Sequence, residues 1–162
     1  MFKSLNKNKI KQIKMNKNQN KKKHLKKIWF TSDTHFGHGN IIKFSERPFR
    51  DVEHMDAMLI KNWNDCVQPG DDVYHLGDFS LTKSERTLRI LDQLNGNIHL
   101  IKGNHEKSVT GDAKCKGRFI WIKDYYELKV EDPDARGNRR SIVLLHYAMK
   151  VWNKSHHGAF HL

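Results

Sequence analysis

Four clusters of polar residues in this sequence each follow a short apolar run of the kind that forms a buried strand. The clusters are Asp33 with His35, Asp78, Asn104 with His105, and His146. Carboxylate and amide oxygens together with imidazole nitrogens suit divalent ions such as manganese, iron, zinc or nickel, whereas a set of ligands without thiolates argues against a structural zinc site. The residue types therefore predict a site for divalent metal ions.

Three apolar runs predict the strands that position the first three clusters. Residues 28–30, 73–76 and 98–101 each end in polar residues, as a buried strand does where it reaches a loop. Glycines stand directly before Asp78 and Asn104, and a glycine lets the backbone turn tightly so that the next side chain can point into a shared site. We expect an α/β domain with its site at one edge of the sheet.

Two helices are predicted between these strands. The first covers residues 52–65, where apolar side chains recur at helical spacing and Asp51 is the expected N-cap. The second is expected to begin with a capping box formed by Thr82 and Glu85 and to stop at Gly96. Later runs joined by turn residues predict strands of a second sheet at 118–122, 125–130 and 141–145.

The clusters and their flanking residues resemble the successive motifs of the calcineurin-like metallophosphoesterases. The matching segments are Ser32-Asp33-Thr34-His35, Gly77-Asp78-Phe79, Gly103-Asn104-His105-Glu106 and Leu145-His146-Tyr147. The resemblance covers residues 28–162, and the segments 36–42 and 152–162 are similar to a small bacterial and phage subgroup. It implies an α/β fold in which a sandwich of two sheets is flanked by helices (αββα).

The resemblance also implies a role for each cluster in hydrolysing a phosphoester. It assigns two ligands to one metal ion, two to a second ion and one bridging ligand to both: Asp33 and His35, Asn104 and His146, and Asp78. Two divalent ions, manganese in the first place and iron, zinc or nickel as alternatives, would activate a water for in-line attack on phosphorus. His105 resembles the general acid that protonates the leaving alkoxide. The implied substrate is a small phosphoester, with a phosphodiester or nucleotide preferred.

Three further polar residues follow the first cluster and are candidates for substrate binding: His38, Asn40 and Arg47. They could contact the substrate phosphate or its leaving group, and an arginine is suited to bidentate phosphate contacts. Surface or structural roles are the alternative interpretation of all three.

The strong positive charge of the chain comes from its N-terminus. The formal net charge is +12, but residues 1–27 hold 11 of the 30 basic side chains and none of the 18 acidic ones. We therefore expect a basic, largely disordered tail at residues 1–26 and a metallophosphoesterase domain at residues 27–162. Tethering to nucleic acid through residues 1–27 is an alternative function, because such a tail would make salt-dependent phosphate contacts.

The cysteines and the hydropathy pattern predict a cytoplasmic protein without a membrane segment. Cys66 and Cys115 have neither C-x-x-C spacing nor companion ligands, so both are expected to be free thiols in a reducing compartment. No apolar stretch is long enough to span a bilayer. The sequence predicts no particular oligomeric state.

The resembling family completes its metal site with a Gly-His-x-His motif, and the sequence ends at Leu162 before such a motif. We expect each metal to lack one ligand and the last strand to be missing, so that the domain is incomplete at its C-terminus. An inactive metal-binding domain, or a protein completed by another chain, is therefore the alternative to a competent enzyme. His156, His157 and His161 are candidate replacements, although in the subgroup such residues precede the motif.

Overall fold

The computed structural model of the chain describes residues 25–135 and 137–162. The predicted basic tail at residues 1–26 lies outside the described residues except for its last two positions, so the division into tail and domain stays a prediction. No helix within the described ranges is long and apolar enough to cross a membrane.

Four parallel strands form the first sheet, in the order β1-β2-β3-β4. Their bounds are Ile28–Thr31 for β1, Asp72–His75 for β2, Asn97–Ile101 for β3 and Phe119–Lys123 for β4. The first three strands agree with the predicted ones to within one residue at each end. Because all four strands are parallel, their carboxyl ends lie at one edge of the sheet, and the loops that follow them meet there.

The second sheet consists of β5 (Tyr126–Glu131), β6 (Arg139–Leu144) and β7 (Phe160–His161). β5 and β6 are antiparallel and joined by the predicted turn, and β7 pairs in parallel with β6. The predicted second sheet is confirmed, but the run at 118–122 was wrongly placed in it, since β4 pairs with β3. Parallel pairing needs a crossover connection, and short helices that the sequence did not reveal provide it between β3 and β4.

Five α-helices and a 3₁₀-helix at Ser155–His157 lie among the described residues. The bounds of the α-helices are Gly39–Phe44 for α1, Val52–Cys66 for α2, Ser84–Leu91 for α3, Lys107–Thr110 for α4 and Ala113–Lys116 for α5. The predicted start of α2 is confirmed, because the Asp51 side chain accepts a hydrogen bond from the His54 amide at 2.7 Å.

The predicted ends of α3 were wrong. Its N-cap is Lys83, which makes no side-chain capping bond, and the helix ends at Leu91 well before Gly96. Thr82 instead packs over Gly37, where its Cβ lies 2.6 Å from the position that a Gly37 Cβ would take. Gly96 adopts a φ of +93° in the turn that leads into β3. Tertiary packing therefore overrides the local capping signal.

Two hydrophobic cores hold the layers together. In the first, helix residues such as Trp63 and Leu91 pack on sheet residues such as Val73 and Leu100. The second lies between the two sheets and contains Tyr74, Ile101, Leu128, Ile142 and Leu144. The predicted α/β fold with two sheets and helices is confirmed, with the helices on one face of the first sheet and the second sheet on the other.

Candidate metal centre

The loops after β1, β2 and β3 and the end of β6 bring five predicted site residues together. Two groups have all their candidate ligand atoms within 4.8 Å of one another: His35, Asp78 and His105, and Asp33, Asp78 and His146. Asp78 is common to both groups and is almost fully buried. The arrangement can hold cations side by side with one carboxylate between them.

The two groups bring residues from different predicted clusters side by side. Asp33 lies with His146, and His35 lies with His105, whereas Asn104 is exposed on the loop after β3. That loop is tied to the centre by the His105 amide, which donates to Asp78 Oδ1 at 2.9 Å. The assignment of each residue to an ion, and of His105 to proton transfer, stays a prediction.

Three of the candidate ligands have an unusual backbone conformation. Asp33, His35 and Asp78 have φ values of 53°, 51° and 54°, in the left-handed region that side chains with a Cβ rarely adopt. Such a conformation costs on the order of 1–3 kcal/mol and persists only where the surroundings enforce it. Here the Asp33 amide donates to Gly77 O at 2.9 Å and the His35 amide donates to Asp78 O at 3.0 Å, so the two loops fix each other.

The glycines before Asp78 and Asn104 are required for different reasons. Gly77 has a φ of +99°, and a Cβ at that position would lie 2.5 Å from His146 Nδ1. Gly103 has an ordinary φ, but a Cβ there would lie 2.3 Å from Asp78 Oδ1. Backbone conformation explains the first glycine, as the sequence predicted, and close approach of two loops explains the second.

Two histidines turn a ring nitrogen toward Asp78. His146 Nδ1 lies 2.7 Å from the carbonyl oxygen of Leu76, which can only accept, so Nδ1 carries the proton. This bond leaves His146 Nε2 as the nitrogen with a free lone pair, 3.8 Å from Asp78 Oδ2. His35 Nε2 lies 3.4 Å from the same oxygen. A ring held by a carbonyl at one nitrogen is oriented for metal binding at the other.

Glu106 is a buried carboxylate behind the centre. Its Oε1 accepts from the Phe79 amide at 3.2 Å and from the Gly103 amide at 3.4 Å, so it links the loops after β2 and β3. Burial raises the pKa of Glu106. The sequence contained this residue within a recognised motif but gave no sign of its linking contacts.

His75 is a further buried residue beside the centre that sequence reasoning missed. It lies within β2 and is fully buried, and its Nε2 is 2.9 Å from Thr34 Oγ1. Thr34 Oγ1 in turn donates to Phe79 O at 2.8 Å, so its hydroxyl accepts from His75. This chain of hydrogen bonds joins β2 to both loops that carry candidate ligands. No local sequence signal distinguishes such a histidine from any other strand residue.

Arg47, a predicted substrate-binding residue, contacts backbone rather than open space. Its Nη1 donates to Thr34 O at 2.9 Å and its Nη2 donates to Asp33 O at 2.8 Å. Both terminal nitrogens of the guanidinium are therefore engaged by the loop after β1. Its predicted contact with substrate stays a prediction, beside a structural role that the sequence left open.

The other two candidate substrate residues lie at the start of α1. The ring of His38 is 5.6 Å from the ring of His35, between centroids. Burial is the main cause that lowers the pKa of His38, followed by the neighbouring His35, His105 and Arg47. Asn40 is exposed in the first turn of α1. Substrate binding by His38 and Asn40 stays a prediction.

Comparison with known proteins agrees with this fold. Residues 26–159 match the sequence model of the calcineurin-like phosphoesterases, and the chain belongs to that family.

Three proteins that are similar to the chain come from different sources. An uncharacterized protein of Methanocaldococcus jannaschii is 44% identical over 113 residues, which cover 68% of this chain and 61% of that protein. The Gene 66 protein of Mycobacterium phage D29 is 30% identical over 128 residues, which cover 74% of this chain and 63% of that protein. The crystal structure of a protein of unknown function from Aquifex aeolicus is 33% identical, with a TM-score of 0.56, over 76% of this chain and 61% of that one.

The chain spans less than two thirds of the length of each of these relatives. The similarity to the phage protein is consistent with the predicted phage subgroup.

Proposed function

We propose that the chain is a metal-dependent phosphoester hydrolase that acts on phosphodiester or nucleotide substrates. The observation that carries this proposal is the position of Asp78, a buried carboxylate common to two adjacent groups of candidate ligands. A site of this form, in a member of the calcineurin-like phosphoesterases, supports chemistry that uses two cations held side by side.

The residues present fit divalent cations. The two groups offer carboxylate oxygens and imidazole nitrogens, the donors that manganese, iron, zinc and nickel accept. The Nδ1 of His35 is buried and has no hydrogen-bond partner within the described part of the chain. Buried polar atoms are normally paired, and a bound cation or water would supply the partner that this nitrogen lacks.

The proposed reaction divides the work among the residues of the centre. Asp33, His35, Asp78 and His146 would hold the metal ions, with Asn104 as the remaining candidate ligand. Bound divalent cations supply Lewis-acid polarisation of a phosphoryl group and make water a better nucleophile at neutral pH.

His105 is our candidate for the general acid that gives a proton to the leaving oxygen. It is half-buried, and its amide is fixed by the hydrogen bond to Asp78 Oδ1, which places its ring beside the centre.

The first test measures hydrolysis of bis-p-nitrophenyl phosphate and p-nitrophenyl phosphate with added manganese. We expect manganese-dependent turnover, which Asp78→Asn lowers by about 100-fold or more, since even residues that only support a metal ligand are worth about 10–100-fold. Asp65→Asn is the matched control, because Asp65 lies exposed on α2 and pairs only with Lys61 among the described residues. The ratio of the two rates tests the preference for a diester.

Other outcomes of this assay point elsewhere. Equal rates for wild type and Asp78→Asn would contradict the proposal. A wild-type protein that binds manganese without turnover would instead be the inactive metal-binding domain. Tethering to nucleic acid through the 11 lysines of residues 1–27 remains a separate proposal, supported by the charge of the sequence alone.

A further inference from the structure

The loop at residues 32–38 carries two candidate ligands in a strained conformation. Asp33 and His35 have left-handed φ values, and Gly37 has a φ of +74°. The amides of Asp33, His35 and Phe36 donate to carbonyls of the loop after β2. Those bonds hold one side of the 32–38 loop, and the strain requires that its other polar groups be held as well.

Arg47 holds the carbonyl side of the 32–38 loop. Its two terminal nitrogens donate to consecutive carbonyl oxygens, those of Asp33 at 2.8 Å and Thr34 at 2.9 Å. The guanidinium also lies against the sulfur of Met55, a fully buried residue of α2, at 3.7 Å from Nη1. A planar guanidinium with two parallel donors can bind adjacent carbonyls in a way that a lysine ammonium cannot.

Asp56 holds the far end of the same loop. Its Oδ1 accepts from the Gly37 amide at 2.9 Å, and the residue is 6% exposed. Its Oδ2 accepts from Arg86 of α3, at 2.8 Å from Nη2 and 3.2 Å from Nε. The buried carboxylate is therefore compensated, and it connects the 32–38 loop to α2 and α3 at once.

We propose that Arg47 and Asp56 are positioning residues, which fix the conformation of the 32–38 loop and thereby set the affinity of the centre for metal. The proposal rests on the proposed function, because it makes the loop a holder of metal ligands. It also gives Arg47 a role other than binding substrate phosphate, since one N–H of each terminal nitrogen is already donated to a carbonyl of the loop.

The main experiment measures manganese binding by titration calorimetry. Arg47→Ala should weaken the manganese affinity by about 10–100-fold, the usual effect of losing a group that orients metal ligands. Arg47→Lys should recover little of this affinity, because a lysine lacks the two parallel donors of a guanidinium. Added guanidinium ion should partly restore the manganese affinity of Arg47→Ala. Asp56→Asn should weaken binding less than Arg47→Ala, because it keeps an acceptor for the Gly37 amide. Arg50→Ala is the matched control, since Arg50 is exposed and contacts Asp51 instead of the loop.

A second measurement needs no metal and separates this proposal from the proposed function. Amide hydrogen exchange in the metal-free protein should become faster at Asp33, His35 and Phe36 in Arg47→Ala but not in Arg50→Ala. Faster exchange in a protein whose wild type binds no manganese would support the positioning of the loop and count against the hydrolase.

One result would overturn the positioning role. If Arg47→Ala left both amide exchange and manganese affinity unchanged and raised the KM for substrate, Arg47 would be a substrate-binding residue.

Discussion

His75 shows how a residue outside every motif can shape the centre. It is fully buried beside Trp63 and Phe79, with ring centroids 6.4 Å and 5.2 Å away. Burial is the main cause that lowers the pKa of His75 to about 3, so the ring is neutral at pH 7. A neutral ring with its proton on Nε2 donates to Thr34 and leaves Nδ1 unprotonated.

This shift makes the stability of the fold depend on pH in a defined direction. The folded His75 has a pKa of about 3, against 6.5 for the unperturbed ring, so between these values the unfolded chain binds one more proton. Stability from His75 is therefore complete above about pH 6.5 and falls as the pH drops, by about 1.4 kcal/mol per unit.

The measurement is urea unfolding of wild type and His75→Gln at pH 7 and pH 5. Glutamine keeps a donor near the position of His75 Nε2 and does not titrate. Between pH 7 and pH 5 the free energy of unfolding of wild type should therefore fall by about 2 kcal/mol more than that of the variant. The difference between the two proteins removes the contribution of His99, whose pKa burial also lowers. His156→Gln, at an exposed position, should behave as wild type. Equal losses in wild type and His75→Gln would show that His75 is not held neutral.

The sequence could identify candidate ligands but not the residues that support them. Asp33, Asp78 and His146 follow apolar strands within recognisable motifs, and these are local signals. In the sequence, Asp56 is indistinguishable from any polar residue of a helix, and Arg47 is equally consistent with a phosphate contact. Their contacts with the 32–38 loop exist only once α2 packs beside it, and no spacing in the sequence encodes that.

At the scale of elements, local sequence signals predicted the start of α2 correctly. They gave a wrong start for α3 and a wrong sheet for β4, because contacts between residues distant in the sequence determine both. The start of α2 followed from its cap at Asp51 and its apolar spacing, both of which lie within one segment. The start of α3 is shifted because Thr82 packs over Gly37, which lies 45 positions earlier in the sequence. The placement of β4 in the first sheet depends on the crossover through α4 and α5, whose four-residue lengths carry no periodic signal.

The loops after β2 and β3 approach so closely that one glycine decides whether they fit. A Cβ on Gly103 would lie 2.3 Å from Asp78 Oδ1 and 2.7 Å from the Asp78 amide nitrogen, and backbone cannot move aside cheaply. Gly103→Ala should therefore lower the free energy of unfolding by about 1–3 kcal/mol and weaken manganese binding. Urea unfolding and calorimetry measure the two effects.

Gly70→Ala is the control for this substitution. Nothing lies within 4 Å of the Cβ that it would add, and its φ is not left-handed, so its stability should change by less than about 0.5 kcal/mol. A Gly103→Ala protein as stable as Gly70→Ala, with unchanged manganese affinity, would mean that the loops can separate without cost.

At the scale of the whole molecule, the centre lies where the two sheets meet. Asp33 and Asp78 follow strands of the first sheet, whereas His146 follows β6 of the second. The layers are also joined by the hydrogen bond between His146 and the Leu76 carbonyl, and by side-chain packing in the core that contains Tyr74 and Leu144. A metal ion bound by Asp33, Asp78 and His146 would therefore cross-link the two layers.

Metal binding should consequently stabilise both sheets together. A ligand that binds only the folded state at about 100 times its Kd adds about 2.7 kcal/mol, so manganese should raise the free energy of unfolding by that amount and chelation should remove it. Asp78→Asn should lose the effect. Amide exchange by β5 and β6 should slow on adding manganese as much as exchange by β1 and β2. Protection confined to the first sheet would show that His146 takes no part in metal binding.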